Sequence, residues 1–421
     1  MRKISADYIF PVSSEPIKNG VITIDDDGTI LELNHVSDFE NDPSQIEFYE
    51  GIICPGFINT HCHLELSHLR SQISEKTGIT GFIKEIVSQR FNFSDEKKQV
   101  AIANAEAEMI KNGIVAVGDI SNNNSTFMQK GKGNLLYHTF IEIFDLNPDK
   151  AEEAFNKGFF LQKELSQILQ NVEQESNLKS HISIVPHAPY TISERLLKMI
   201  DDYASKNKSI ISIHNQESKA ENELFISKSG LMLDTFIGMG INSDLIRQTE
   251  INSLKSTLPF LTNASRLLLV HNTFTTGEDI RWAEKEMEKG KSQIENGDTS
   301  DLKSQISNLF WCTCPNANMY IENKLPDYNY FIDENVRVTI GTDSLASNWT
   351  LSVLDELKTI SKNYPQIPLA TLLLWATKNG AEFLGFTQLG TIEKGKKPGL
   401  NLLKNIQELK ISEKTEVIKL V

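Results

Sequence analysis

The sequence predicts an α/β protein: a closed (β/α)8 barrel of the TIM type, carrying a small β-sandwich formed by both chain termini. Two observations predict the barrel. Eight short apolar, β-rich runs follow one another between Gly51 and Ile340, and helical stretches separate most of them. Near-continuous apolar strands joined by crossovers indicate a parallel sheet buried on both faces. Eight of them in this length suit a closed barrel. The third observation concerns the ends, which share a strand-and-turn texture and are expected to pair with each other.

The elements read in order as follows. Gly20–Leu33 holds two alternating runs around Asp25-Asp26-Asp27-Gly28, a hairpin signal. The barrel strands are expected at Gly51–Asn59, Gly113–Ile120, Leu136–Phe144, His181–Val185, Ser209–Ile213, Arg266–Val270, Leu309–Thr313 and Arg337–Ile340, with a helix over Glu96–Lys111. Glu284–Ser307 is highly polar and reads as a solvated helix and loop. Leu389–Leu403 is glycine-rich, and Lys410–Val421 ends in alternation. The predicted division is residues 1–52 with 386–421 as the composite β-domain and residues 53–385 as the barrel. An open doubly wound sheet would need a glycine-rich first βα turn. The nearest match, Gly238-Met239-Gly240-Ile241-Asn242-Ser243, lacks the third glycine and follows no strand.

Composition narrows the function. The 421 residues carry 42 basic and 56 acidic side chains, a net charge of −14. That charge disfavours a nucleic-acid polymer or an anionic membrane as partner, but not a small molecule in a pocket. Four cysteines are too few for a disulfide scaffold. Met1–Pro11 has no apolar signal core, and no run approaches the roughly 18–20 apolar residues of a membrane span. The expectation is a reduced cytoplasmic protein, for which a homodimer is the default assembly.

Five of the nine histidines fall at or just beyond predicted strand ends: His61 and His63, His187, His214 and His271. Asp343 follows the eighth strand. In a barrel these ends share one rim, where active sites form. One such histidine alone would be read as a satisfied core or surface residue. That reading is kept for His35, His68, His138 and His181. In an extended chain His61 and His63 face the same side while Cys62 faces away. With His214 and Asp343 they offer three imidazoles and one carboxylate. This borderline-soft set suits one divalent metal, zinc first and iron as the substitute. Glu217 lies three residues past His214 and could serve as a general base beside a water activated by such a metal. By spacing alone it could equally cap the following helix. Asp343 could likewise be an N-cap, although the apolar strand before it favours the rim. Cys312 and Cys314, two apart, read as buried thiols rather than a second metal site, which would need two separated ligand pairs.

Several segments together resemble the aminohydrolase and chlorohydrolase branch of the amidohydrolase superfamily. They are Pro55-Gly56-Phe57-Ile58-Asn59-Thr60-His61-Cys62-His63, Pro186-His187-Ala188-Pro189-Tyr190, His214-Asn215-Gln216-Glu217, Val270-His271-Asn272, Cys314-Pro315-Asn316-Ala317-Asn318 and Gly341 through Asn348. The resemblance implies that His61, His63, His214 and Asp343 bind one metal and that Glu217 shuttles a proton. His271 would contact the attacking water or polarise the substrate, and His187 would meet the substrate. Strand four ends in Ile184-Val185-Pro186-His187. It carries neither the lysine nor the acid that bridges two metals in other branches, so one metal is expected.

The implied reaction is hydrolytic deamination of an aminated purine or purine nucleoside with release of ammonia. The candidate substrates are aminodeoxyfutalosine, S-adenosylhomocysteine, methylthioadenosine, adenosine and guanine. His63-Leu64-Glu65-Leu66-Ser67, Gly81-Phe82-Ile83 and Arg90 resemble the aminodeoxyfutalosine deaminase subgroup. Dechlorination or cyclic-amide hydrolysis is the alternative chemistry, and a non-catalytic metal-binding scaffold is the alternative class. Pro398-Gly399-Leu400-Asn401 departs from the family's usual Ala-Asp-Leu.

Overall fold

A computed structural model describes residues 1–39, 46–172, 180–294 and 308–421. Most of the polar stretch expected as an insertion lies outside them; its first part continues the helix Gly277–Ile294.

The terminal strands are β1 (Arg2–Ile9), β2 (Ile17–Lys18), β3 (Gly20–Ile24), β4 (Ile30–His35) and β5 (Ile46–Pro55). The barrel strands are β6 (Phe57–Cys62), β7 (Ile114–Ser121), β8 (Leu136–Ile143), β9 (His181–Pro186), β10 (Ile210–Asn215), β11 (Arg266–His271), β12 (Leu309–Thr313) and β13 (Val338–Ile340). β14 (Leu400–Lys404) and β15 (Glu416–Lys419) complete the set.

All eight expected barrel strands are present. They form two four-stranded parallel sheets, β6-β7-β8-β9 and β10-β11-β12-β13. The two sheets meet at both seams. At one, the His214 amide donates to the His187 carbonyl at 3.0 Å. At the other, Cys62 bridges to Asp343 and the Thr60 hydroxyl donates to the Ile340 carbonyl at 3.0 Å. Alternation along the strands separates two cores. Ile58, Ala116, Phe140, Val185, Leu268 and Phe310 cluster inside the ring with Phe383 and Leu389. Their neighbours Phe57, Val117, Ile141, Ile184, Leu267 and Trp311 pack outward with Met109, Leu165 and Leu372 of the helices.

The chain ends do pair. β5 runs parallel to β1 and antiparallel to β14, which pairs with β15. The predicted β3–β4 hairpin is antiparallel as expected. The ladder joins all seven strands in one hydrogen-bonded sheet.

The first expected barrel strand is in fact two strands, β5 and β6. They break at Pro55-Gly56, where the Gly56 amide donates to Pro398 and Gly399 carbonyls at 3.2 Å. A Cβ on Gly56 would meet Val115 at 2.4 Å, so the chain can pass from sheet to barrel there only through glycine. The expected boundary at residue 52 therefore falls inside β5. Asn401, the departure noted in the sequence, donates to the Gly113 carbonyl at 2.9 Å and ties the sheet to the start of β7.

A buried ion pair braces the rim. Lys130 Nζ lies 2.6 Å from Asp119 Oδ2, with both side chains fully buried, and donates to Ser121 and Thr139 hydroxyls. Asp119 also accepts from the Leu64 amide at 2.8 Å, fixing the chain just after His63. Lys130→Met should leave that carboxylate buried without its cation and lower unfolding free energy by about 3–5 kcal/mol in urea titration. No helix among the described residues is long and apolar enough to cross a membrane.

Candidate metal centre at the barrel rim

The strand ends bring every predicted site residue into one cavity of about 670 Å³; all but the fully buried His61 line it directly. His61 sits within β6, and His63 follows directly after it. The two Nε2 atoms are 3.1 Å apart, and Asp343 Oδ1 lies 3.7 and 3.4 Å from them. Ring centroids of His61 and His214 are 4.9 Å apart, and those of His214 and His271 are 5.3 Å apart. Cys62, between the two histidines, turns outward into the helix-facing core as expected.

Two of the imidazoles are aimed by a partner on their other nitrogen. His214 Nδ1 donates to the His187 carbonyl at 2.8 Å, and His271 Nδ1 donates to Asn318 Oδ1 at 2.9 Å. Both therefore present an unprotonated Nε2 to the cavity. Asp343 is held by Ser347, whose hydroxyl donates to Oδ2 at 2.7 Å. Gly341 packs against this group. A Cβ there would meet His61 at 2.8 Å and the Cys312 and Cys314 sulfurs at 2.9 Å. Both thiols are buried and free, as the sequence suggested.

Burial and the neighbouring rings hold the imidazoles neutral. Burial pushes His63 and His214 down to about 3 and His187 to about 4, and it lowers His61 and His271 as well. Within the same cavity, His61 Nδ1 and His271 Nε2 are buried without hydrogen-bond partners. Neutral nitrogens with unused lone pairs, gathered around a carboxylate, are the donor set a borderline divalent cation takes. One atom each of His61, His63 and Asp343 lies within 4.8 Å of the others, and the same holds for His61, His214 and His271. The residues present thus fit a metal.

The structure settles how Glu217 is used locally. Ser218 is the N-cap of the helix Lys219–Ser227, its Oγ accepting from Glu221 at 3.1 Å. Glu221 reaches back to the Gln216 and Glu217 amides at 3.0 Å, which completes a capping box. Glu217 is therefore spared for the cavity, where its Oε1 lies 3.7 Å from His271 Nε2. Burial, then the Asp343 carboxylate, pushes its carboxyl well above the usual range. Four non-glycine residues at this rim take left-handed backbone conformations: Gln216, His271, Asn272 and Asp343, with φ of 43°, 74°, 57° and 56°. Such strain concentrates where surrounding structure enforces a functional geometry.

His35, His68, His138 and His181 stay outside the cavity. His138, for example, is bonded to Ser183 and the Leu384 carbonyl. Gly238-Met239-Gly240 lies at a helix end, where Met239 and Gly240 line the cavity mouth. Sequence reasoning missed Asn318 as the partner of His271 and Glu142 as a cavity residue. The available signal for Glu142 was an acid among the apolar residues Phe140, Ile141 and Ile143 at the end of β8.

A parallel barrel with imidazoles and carboxylates converging on its C-terminal rim is the architecture of a barrel enzyme. Residues 52–421 match the model of the amidohydrolase family, and the chain belongs to that family. It is 26% identical over 364 residues to the adenosine deaminase of Helicobacter pylori, covering 85% of this chain and 80% of that one. Among solved structures it is similar to H. pylori aminofutalosine deaminase in complex with methylthio-coformycin, at TM-score 0.76 and 22% identity, covering 97% and 93% of the chains. It is also similar to an adenosine deaminase from Xanthomonas campestris with bound zinc, at TM-score 0.68 and 20% identity, covering 95% and 84%.

Proposed function

We propose that this protein is a metal-dependent hydrolytic deaminase of an aminated purine or purine nucleoside. The observation that carries the reading is the convergence of His61, His63, His214 and Asp343 beside Glu217 and His271 in one buried cavity. His61, His63, His214 and Asp343 would hold one divalent ion, zinc by the chemistry of the donor set, with iron as the substitute. Such an ion supplies an activated water and a Lewis-acid contact.

The chain's own residues do the rest. Glu217 takes one proton from the attacking water and passes it to the ring nitrogen. His271, with its Nδ1 proton committed to Asn318, accepts a hydrogen bond at Nε2 and orients the water. As the carbonyl forms, Asp343 accepts the water's remaining proton, which passes to the leaving amine. Water adds to the amidine carbon, ammonia leaves, and a carbonyl forms. The apolar residues Ile79, Phe82, Phe236 and Ile241 line the cavity and help exclude bulk water.

The reading puts the enzyme in the cytoplasm, with strands β1–β5, β14 and β15 as the appended β-domain and a homodimer as the default assembly. An ammonia-release screen of zinc-loaded protein tests it against adenosine, methylthioadenosine, S-adenosylhomocysteine, aminodeoxyfutalosine and guanine. Turnover of at least one is expected; release from none, or from a chlorotriazine or cyclic amide only, would overturn the deaminase reading.

His187 should act on substrate rather than on the metal. Its Nδ1 donates to Thr191 Oγ1 at 2.9 Å, because the Thr191 hydroxyl proton is given to the Ala188 carbonyl. His187→Ala should raise KM by about 10-fold or more with metal content unchanged, since one neutral hydrogen bond is worth roughly 1 kcal/mol and truncation leaves its partner unpaired. Loss of metal in that variant would reassign His187 as a ligand.

A further inference from the structure

Two carboxylates in the cavity, Asp145 and Glu142, have no part in the chemistry above, and Glu142 is the buried one. Glu142, the acid at the end of β8, is 4% exposed and lines the cavity. Its Oε2 accepts from Asn122 Nδ2 at 2.8 Å, and its backbone carbonyl accepts from the same amide group at 3.2 Å. Its Oε1 has no hydrogen-bond partner. The nearest cationic candidate is His214 Nδ1 at 3.7 Å, whose proton is already given to the His187 carbonyl. A buried carboxylate oxygen left without a donor is costly, and an ionised carboxylate only accepts. Whatever completes this site must therefore bring a donor.

The surroundings define that donor. One polar atom each of Glu142, His187 and His214 lies within 4.8 Å of the others. His214 turns its protonated Nδ1 toward the trio, so the trio is not a second metal site. What remains is a pair of acceptors, Glu142 Oε1 and the unprotonated Nε2 of His187. They lie on the β8 and β9 side of His214, while Glu217 and Asp343 lie on other strand ends. In a purine nucleoside, the group joined to the reacting base is the sugar, whose vicinal hydroxyls are paired donors.

Resting on the deaminase reading, we infer that Glu142 is a specificity-determining residue that accepts a hydrogen bond from a sugar hydroxyl, so that the substrate is a nucleoside and not a free base. Asn122 is its positioning residue, fixing Oε2 and with it the orientation of the carboxylate. In Glu142→Gln the amide oxygen would take the Asn122 donor and turn its NH2 toward the substrate, replacing an acceptor with a donor.

Calorimetric titration with inosine, 2′,3′-dideoxyinosine and hypoxanthine tests this without turnover. Zinc-loaded wild-type protein should bind inosine about 10–100-fold more tightly than the dideoxy analogue, the range for a hydrogen bond to a charged group. Glu142→Gln and Glu142→Ala should narrow that preference to about threefold or less, with metal content unchanged. No preference in the wild type, tighter binding of hypoxanthine than of inosine, or a preference that survives both substitutions would overturn the inference. Glu142→Gln, which keeps the side chain's size, supplies the comparison if Glu142→Ala fails to fold. Failure of the ammonia screen with the inosine preference intact would remove the deaminase reading and leave the sugar site standing.

Discussion

Glu217→Gln should retain its metal and lose about 10²–10⁴-fold in kcat, the span attributed to positioned general acid–base catalysis. The amide preserves the shape of the side chain but cannot accept a proton and pass it on. The local structure makes this a clean substitution. Ser218 and Glu221 carry the helix cap, so residue 217 is not needed to start the helix. The remaining contact, 3.7 Å to His271, is too long to be a structural hydrogen bond. Turnover near the wild-type rate would show that another group moves the proton. Reduced turnover with unchanged KM is the expected split, because the proton transfer belongs to the transition state.

The second large effect concerns the ligands. His63→Ala should lower metal content to below about one-tenth of an equivalent per chain and abolish ammonia release, because a catalytic site of this kind leaves no spare ligand. His63 Nε2 sits 3.1 Å from His61 Nε2 and 3.4 Å from Asp343 Oδ1, so its removal opens the centre of the cluster. His63 is the rim member of the pair, while His61 is fully enclosed. The alanine variant should therefore keep its fold, which circular dichroism and thermal unfolding would verify. Full metal occupancy in His63→Ala would show that the ion is held elsewhere.

Much of this architecture follows from local pattern. The barrel strands announced themselves as apolar runs because both faces of a parallel barrel are buried, so Arg266–His271 and Leu309–Thr313 carry no polar alternation. The histidine positions were equally readable, since a strand end in a barrel is already a place on the rim. Three features were not. The break at Pro55-Gly56 depends on Pro398, Gly399 and Val115, which are distant in sequence. The role of Glu217 could not be separated from helix capping until the Ser218–Glu221 box was seen. Glu142 and Asn318 gain their meaning from partners on other elements, Asn122 and His271, and no spacing rule connects them. The layering of the terminal strands was not legible for a related reason. Strand patterns reveal that the ends are β, whereas the layering depends on how seven short strands hydrogen-bond.

The most direct measurement is a metal titration of chelator-stripped protein, following ammonia release from whichever purine the screen identifies. Activity should be absent in the stripped protein, rise linearly with added zinc, and saturate near one equivalent per chain, as a single site of three histidines and one aspartate requires. Ammonia release that persists without metal, or that saturates only near two equivalents, would contradict a single-metal centre built on His61, His63, His214 and Asp343.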